Sequence, residues 1–109
     1  MMLLAASVCT LFASDVKKET FKVAGNCGMC ETRIEKAARS VDGVSAADWN
    51  KDTDMIEVLF DADETDLDKI HEAIAGVGHD TEKVRADDET YNNLPGCCKY
   101  ERISYDSSE

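Results

Sequence analysis

The sequence predicts an α+β fold in which two helices cover one face of a four-stranded antiparallel sheet. The apolar period changes along the chain in the order strand, helix, strand, strand, helix, strand, and glycines fall where several of these segments end. A chain of 109 residues can form one small domain with a modest core, but not an enclosed cavity for a large substrate. We therefore expect a single small domain without enzymatic turnover.

The first half of this fold is a strand followed by a helix. Residues 20–25 alternate apolar and polar side chains, as in a half-buried strand. Residues 31–41 repeat apolar side chains at helical spacing, and Glu35 precedes Arg39 by one turn, the order that favours an ion pair. Gly43 is expected to end the helix.

The second half is a hairpin, a helix and a last strand. Residues 44–50 and 55–60 are typical of two antiparallel strands joined by a turn. Residues 66–77 have the apolar pattern of a second helix, with Thr65 as the expected N-cap, and residues 80–86 are expected to form the fourth strand. Two helices on one face of such a sheet make a ferredoxin-like βαββαβ sandwich.

The remaining segments lie at the two ends of the chain. Residues 1–14 are uncharged and apolar, too short to span a bilayer, and end in small residues, as in a secretory signal peptide. No Lys or Arg precedes the apolar run, so the alternatives are a true start upstream of Met1 or an ordinary N-terminus. We expect 15–19 to be a short linker, 20–86 the domain and 87–109 a C-terminal tail. A mature chain of this kind would be periplasmic or secreted, without stable membrane insertion.

Charge limits the classes of partner. The net charge of −11 would be repelled by nucleic-acid phosphates and by an anionic membrane surface. We therefore expect no nucleic-acid partner, and a cation or a protein instead. Alternatively, the acidic residues only keep the surface soluble.

Cys27 and Cys30 lie between the first strand and the first helix. The N-terminus of a helix stabilises a thiolate, which is the form that binds metals and attacks disulfides. The flanking glycines indicate an exposed turn rather than two buried small hydrophobic residues. Two thiolates suit a soft ion such as Cu(I) or Hg(II), whereas Zn(II) prefers four ligands. The alternative is a thiol–disulfide oxidoreductase.

The two cysteines stand in a wider pattern. The chain continues with Glu-Thr-Arg-Ile-Glu-Lys-Ala over 31–37, Val-Asp-Gly-Val over 41–44 and Ala-Gly-Val-Gly-His-Asp over 75–80. Over 20–86 it resembles the heavy-metal-associated domain family, which includes bacterial copper chaperones and the periplasmic mercury-binding protein. The resemblance implies a carrier, monomeric without metal, in which Cys27 and Cys30 bind Cu(I), or Hg(II) in the mercury branch.

The resemblance also implies a partner and shows one departure. Family members pass the ion by ligand exchange to a docking partner, so we expect a metal-transport protein or another metal-binding domain. The family usually has Gly-Met-Thr before the first cysteine, where this chain has Ala24, Gly25 and Asn26. The methionine that packs beneath the loop is therefore missing, and Met29 is its expected partial replacement.

The two histidines are weaker candidates. His79 lies where the second helix turns into the last strand, at the metal-loop end of this topology. It is either a third ligand, a group that supports the ligands, or a polar turn residue. His71 is expected to face solvent on the second helix.

The tail carries two further cysteines, Cys97 and Cys98. The roughly 11 residues that separate them from Ala86 can span about 35 Å when extended, enough to return along a small domain to the first pair. Three alternatives stay open: additional soft-metal ligands, disulfide partners of the first pair or of each other, or groups used only in a partner complex. The aromatic residues are expected to serve packing: Trp49, Tyr91 and Tyr100.

Overall fold

A computed structural model describes residues 15–105 of the chain. The expected signal peptide over 1–14 lies outside these residues. The main elements are, in order, β1 (Val16–Lys22), α1 (Gly28–Arg39), β2 (Val44–Asn50), β3 (Met55–Asp61) and α2 (Leu67–Gly76). The short helix α3 (Asp88–Asn92) and a 3-10 turn (Gly96–Cys98) follow.

The strands form one antiparallel sheet in the order β1-β3-β2. β3 alternates buried and exposed side chains, so one face of the sheet is covered. Both helices pack their apolar stripes on that face, and the side chains merge into one core. The predicted α+β architecture with two main helices is confirmed. The core includes the side chains of Phe21, Ile34, Trp49, Ile56, Val58, Ile70 and Ile74.

The expected fourth strand over 80–86 is not confirmed, because the described part of the chain has a sheet of three strands. Thr81 makes an isolated bridge to Val23 beside β1. The chain then turns back: the Thr81 N–H donates to the Val84 carbonyl at 2.9 Å, and the Thr81 hydroxyl accepts from the Val84 N–H at 2.9 Å. A side chain that bonds its own backbone offers an alternative to the strand ladder, and here it ends the strand after one bridge.

Two expected boundaries are also corrected. Residues 15–19 are not a linker, because β1 begins at Val16 and pairs there with Asp61. The N-cap of α2 is Asp66 rather than Thr65: its backbone is extended and its carboxylate accepts from the Lys69 N–H at 3.0 Å. This satisfies one of the free N–H groups at the start of the helix.

The described part of the tail folds back onto the domain. Its buried side chains are Leu94, Cys98 and Tyr100. Tyr91 meets the Tyr100 ring edge-on at 4.9 Å between centroids, and Trp49 is buried with its indole N–H donating to a backbone carbonyl, so these three aromatic residues pack as expected. Among the described residues, no helix has the length and apolar character needed to cross a membrane.

Candidate metal centre

The loop between β1 and α1 brings Cys27 and Cys30 together. Cys27 is the N-cap residue of α1 and Cys30 lies in its first turn, so their sulfurs are 3.5 Å apart. Gly25 allows this loop to lie against the core: a Cβ at that position would be 3.0 Å from the Trp49 ring and 3.2 Å from the Cβ of Cys30. A larger residue at position 25 would push the cysteine loop away from the core.

The two thiols differ in acidity because their environments differ. A hydrogen bond from the backbone N–H of Cys30 lowers the pKa of Cys27 to about 7, against the opposing effect of burial. Burial raises the pKa of Cys30. Cys27 is therefore the thiol of the pair that ionises more readily, and Cys30 holds its proton more firmly.

A third sulfur reaches this pair from the tail. The Cys98 sulfur lies 3.7 Å from that of Cys27, and the three sulfurs of Cys27, Cys30 and Cys98 all lie within 4.8 Å of one another. Cys98 is buried, whereas its neighbour Cys97 is exposed. All four of these cysteines are free thiols in the structure. The tail therefore returns to the loop that carries Cys27 and Cys30, as the length of the segment after Ala86 allows.

Met29 does not replace the missing methionine beneath the loop. Its side chain is 54% exposed, and its sulfur lies 3.8 Å from that of Cys97 on the outer side of the site. Trp49 occupies the inner side instead, in contact distance of Gly25. The expected role of Met29 is therefore corrected.

Arg33 connects the sulfur cluster to His79. One guanidinium nitrogen of Arg33 donates to the Cys98 sulfur at 3.2 Å and lies 3.3 Å from Nε2 of His79. Nδ1 of His79 is 2.9 Å from the Ala24 carbonyl. Burial lowers the pKa of His79 to about 4 despite this backbone hydrogen bond, and Arg33 lowers it further. His79 is thus neutral, donates to Ala24 and accepts from Arg33.

His79 therefore lies behind Arg33, outside the cluster of three sulfurs. It positions the guanidinium that contacts Cys98, and both of its ring nitrogens have hydrogen-bond partners, Arg33 and the Ala24 carbonyl. Sequence reasoning missed Arg33 as a functional residue. Its position in the sequence could have indicated this role, because Arg33 follows Cys30 by one helical turn. A cation there can compensate the charge of a nearby thiolate.

His71 does not face solvent as expected. It is fully buried, stacks on Phe21 at 3.8 Å between ring centroids, and has Nδ1 2.6 Å from the Thr81 hydroxyl. The apolar stripe of α2 places it on the covered face of the sheet. His71 is a packing residue and has no contact with the sulfur cluster.

An open groove adjoins the cysteines along the exposed side of α1. Its volume is about 610 Å³. The sulfur cluster thus lies beside accessible surface rather than inside a closed core. The groove is lined by Gly28, Met29, Thr32, Arg33 and Lys36.

Comparisons with known proteins agree with this site. The copper chaperone CopZ of Staphylococcus aureus (strain JH9) is 30% identical over 66 residues, which make up 60% of this chain and 97% of that protein. The N-terminal domain of a potential copper-translocating P-type ATPase from Bacillus subtilis, solved in its Cu(I)-loaded state, matches with a TM-score of 0.57 at 27% identity, over 61% of this chain and 84% of that one. Oxidized MerP from Ralstonia metallidurans CH34 matches with a TM-score of 0.52 at 28% identity, over 60% and 94% of the two chains.

The family model places these similarities on the domain rather than on the tail. The model of the heavy-metal-associated domain matches residues 20–80, which run from the end of β1 through α2 and include both Cys27 and Cys30. Cys97 and Cys98 lie in the segment C-terminal to the matched residues. The resemblance seen in the cysteine loop and its neighbouring motifs is thereby confirmed, and the chain belongs to the heavy-metal-associated domain family.

Proposed function

We propose that this protein is a soft-metal carrier that binds Cu(I) through Cys27 and Cys30 and passes it to another protein by thiolate exchange. The observation that carries the proposal is the pair of thiols 3.5 Å apart at the start of α1, one of them with a pKa lowered to about 7. Cys27 is partly exposed and is followed in the chain by Gly28 and Met29, which line an open groove, so a partner has a route to the ion. A carrier of this kind has no substrate turnover.

Cu(I) is favoured as the cargo on two grounds. Thiolates are soft ligands and select soft ions, and this site has sulfur as its only clustered donor. The copper chaperone CopZ and the copper-translocating ATPase domain among the similar proteins support the same choice. Hg(II) shares this chemistry and is the second candidate, supported by the similarity to MerP.

The partner we propose is a metal-transport protein or another metal-binding domain. A cysteine pair in such a partner can approach along the groove beside α1, where Met29 is 54% exposed. The partner sulfur then joins the ion before one of the original sulfurs leaves. The metal-free protein is proposed to be a monomer, because its core is complete within one chain.

Periplasmic or secreted location is proposed from the sequence of residues 1–14, which has the apolar run and small residues of a signal peptide. In an oxidising compartment, free thiols become disulfides unless they are occupied. Metal binding would keep Cys27 and Cys30 reduced.

An anaerobic titration of the reduced protein with Cu(I) against a competing chelator tests the proposal. We expect tight binding by the unchanged protein and loss of more than about 100-fold in affinity for the Cys27→Ser, Cys30→Ser double variant, since even changes outside the ligand set cost about 10–100-fold. Cys97→Ser is the matched control, because Cys97 is exposed and outside the cluster. Because Cys97 is exposed, we expect its replacement to cost less affinity than the loss of about 10–100-fold that is typical of groups that support metal ligands.

Two results would change the proposal. A double variant that keeps its affinity would remove Cys27 and Cys30 as the ligands. Weak Cu(I) binding together with tight Hg(II) binding in the same titration would replace Cu(I) by Hg(II) as the cargo.

A further inference from the structure

We infer that Cys98 is a third metal ligand, so that the C-terminal tail completes a three-thiolate site with Cys27 and Cys30. The inference rests on the proposed function, because the ion is the one that the first two cysteines carry. It goes further in naming a ligand from outside the matched domain and in giving the tail a part in holding and releasing the ion.

The sulfur distances fit three-coordination better than two. With metal–sulfur bonds of about 2.3 Å, sulfurs on opposite sides of an ion in a linear arrangement lie about 4.6 Å apart, whereas three sulfurs around it in a plane lie about 4 Å apart. The observed separations from Cys27 are 3.5 Å to Cys30 and 3.7 Å to Cys98. The third separation, between Cys30 and Cys98, is no more than 4.8 Å. Both separations from Cys27 are within about 0.5 Å of the planar value, whereas a linear site requires Cys27 and Cys30 to separate by more than about 1 Å.

Packing on both sides of Cys98 holds its sulfur in place. Leu94 fits against Gly78, where a Cβ would lie 3.0 Å from the leucine side chain. Tyr100 is buried, donates its hydroxyl to the Gly78 carbonyl at 2.6 Å and accepts from the Asp80 N–H at 2.8 Å. Gly78 has a φ of +107°, so a side chain there is disfavoured by conformation as well as by space. Cys98 is thus fixed by its own segment before any metal binds.

Charge compensation also points to Cys98. Three thiolates around a monovalent ion carry a net charge of −2, one more negative charge than two thiolates do. Arg33 donates to the Cys98 sulfur at 3.2 Å. The guanidinium is held from behind by neutral His79. The guanidinium therefore places a fixed positive charge against Cys98, the sulfur that adds the extra negative charge of a three-thiolate site.

Adjacent Cys97 shows that this arrangement is specific to one cysteine. Its side chain is exposed. Its sulfur lies 3.8 Å from that of Met29 and 3.9 Å from that of Cys98, but it is not one of the three sulfurs that all lie within 4.8 Å of one another. The two neighbouring cysteines therefore have different surroundings. Cys97 provides the matched control for Cys98.

The third ligand gives a route for transfer. An incoming partner thiol binds Cu(I) as its thiolate while the Cu–S bond to Cys98 breaks, so one bond forms, one breaks, and copper stays Cu(I). The proton lost by the partner thiol is taken up by Cys98. In this step the ion stays bound to Cys27 and Cys30 until the partner supplies a second thiolate.

The test is X-ray absorption at the copper edge on the full chain loaded anaerobically with one equivalent of Cu(I). We expect three sulfur neighbours in the unchanged protein and in Cys97→Ser, and two in Cys98→Ser. A parallel chelator competition should show a loss of about tenfold or more in Cu(I) affinity for Cys98→Ser, with Cys97→Ser within a few-fold of the unchanged protein.

The outcomes separate this inference from the proposed function. Two sulfur neighbours in the unchanged protein, with tight binding, would overturn the third ligand and leave the carrier function intact; this result does not depend on how any variant folds. Three sulfur neighbours retained in Cys98→Ser would also overturn it. No tight Cu(I) binding in the unchanged protein would instead remove the proposed function itself.

Discussion

Cys27 and Cys30 are only three positions apart, yet their surroundings give them opposite acidities. Cys27 accepts a backbone hydrogen bond that lowers its pKa to about 7, while burial raises the pKa of Cys30. The spacing of the two residues predicts that they meet, because a helix start brings them together. The backbone hydrogen bond to Cys27 and the burial of Cys30, which depend on the tertiary structure, decide which of the two ionises first.

The acidity of Cys27 can be measured by alkylation of the metal-free protein. In a Cys97→Ser background, which removes the exposed thiol, Cys27 should react first with iodoacetamide, and the rate should be half-maximal near pH 7. The rate should fall below that pH because the thiolate is the reactive form. Mass spectrometry of the labelled peptide gives the rate at each pH.

An unfolded control of the same variant should show half-maximal reaction near pH 8.5, the usual value for a free thiol. If the folded protein also showed half-maximal reaction near pH 8.5, the backbone hydrogen bond to Cys27 would have no effect on its acidity.

Among the elements, the tail differs most from its appearance in the sequence. Its sequence is polar, and Arg102 anchors it to the domain. The Arg102 guanidinium donates to the buried Asp80 carboxylate at 2.8 Å and to Asp88 at 2.9 Å, and it lies 4.5 Å from the centre of the Tyr91 ring. These contacts hold the segment that carries Cys98.

Removal of the Arg102 charge should destabilise the protein. Arg102→Met leaves the fully buried Asp80 carboxylate without its cation, which costs about 3 kcal/mol in free energy of unfolding. Arg39→Met is the control, since the Arg39–Glu35 pair is largely exposed on the arginine side and is worth less than about 1 kcal/mol. Urea unfolding of both variants measures the difference.

This difference should depend on pH. Burial alone would raise the pKa of Asp80, but hydrogen bonds from Arg102 and from two backbone N–H groups outweigh it and lower the pKa. The stabilisation is therefore complete above the unfolded-state pKa of about 3.9 and is lost as pH falls through the still lower folded-state value. Equal stability of Arg102→Met and Arg39→Met at pH 7 would show that the Asp80 pair does not hold the tail.

At the scale of the whole molecule, the charge of the surface beside the cysteines differs in sign from the net charge of the chain. The net charge is −11, while the described groove beside the cysteines includes the cations Arg33 and Lys36. The cysteine cluster therefore lies near positive side chains on an otherwise acidic protein. A partner that approaches this face meets a local charge opposite to that of the molecule as a whole.

Export of the protein is the prediction that belongs to this scale. Expressed with all 109 residues in a Gram-negative host, the protein should appear in the periplasmic fraction with an intact mass that lacks about the first 14 residues. Leu11→Glu places a charge in the apolar run and should block export. An uncleaved chain in the cytoplasm, with the same distribution for both forms, would contradict the proposed location.

Most of the domain could be predicted because its signals are local. The hairpin of β2 and β3 and both helices follow from the period of the apolar residues, which depends only on near neighbours. The strand expected over 80–86 did not form, since the Thr81 hydroxyl bonds the backbone of its own turn. His71 was misplaced for a related reason: a single polar residue within an apolar stripe does not reveal that a hydroxyl across the core will pair with it.

The order of residues by itself determined the domain architecture and the pairing of Cys27 with Cys30, because strand and helix periods and a three-residue spacing at a helix start are properties of short segments. Tertiary structure alone decided that Cys98, 71 residues after Cys27, joins the pair and that Arg33 contacts it across 65 residues. No sequence spacing encodes these contacts. They arise because Leu94, Tyr100 and Arg102 pack the tail against the loop that follows α2.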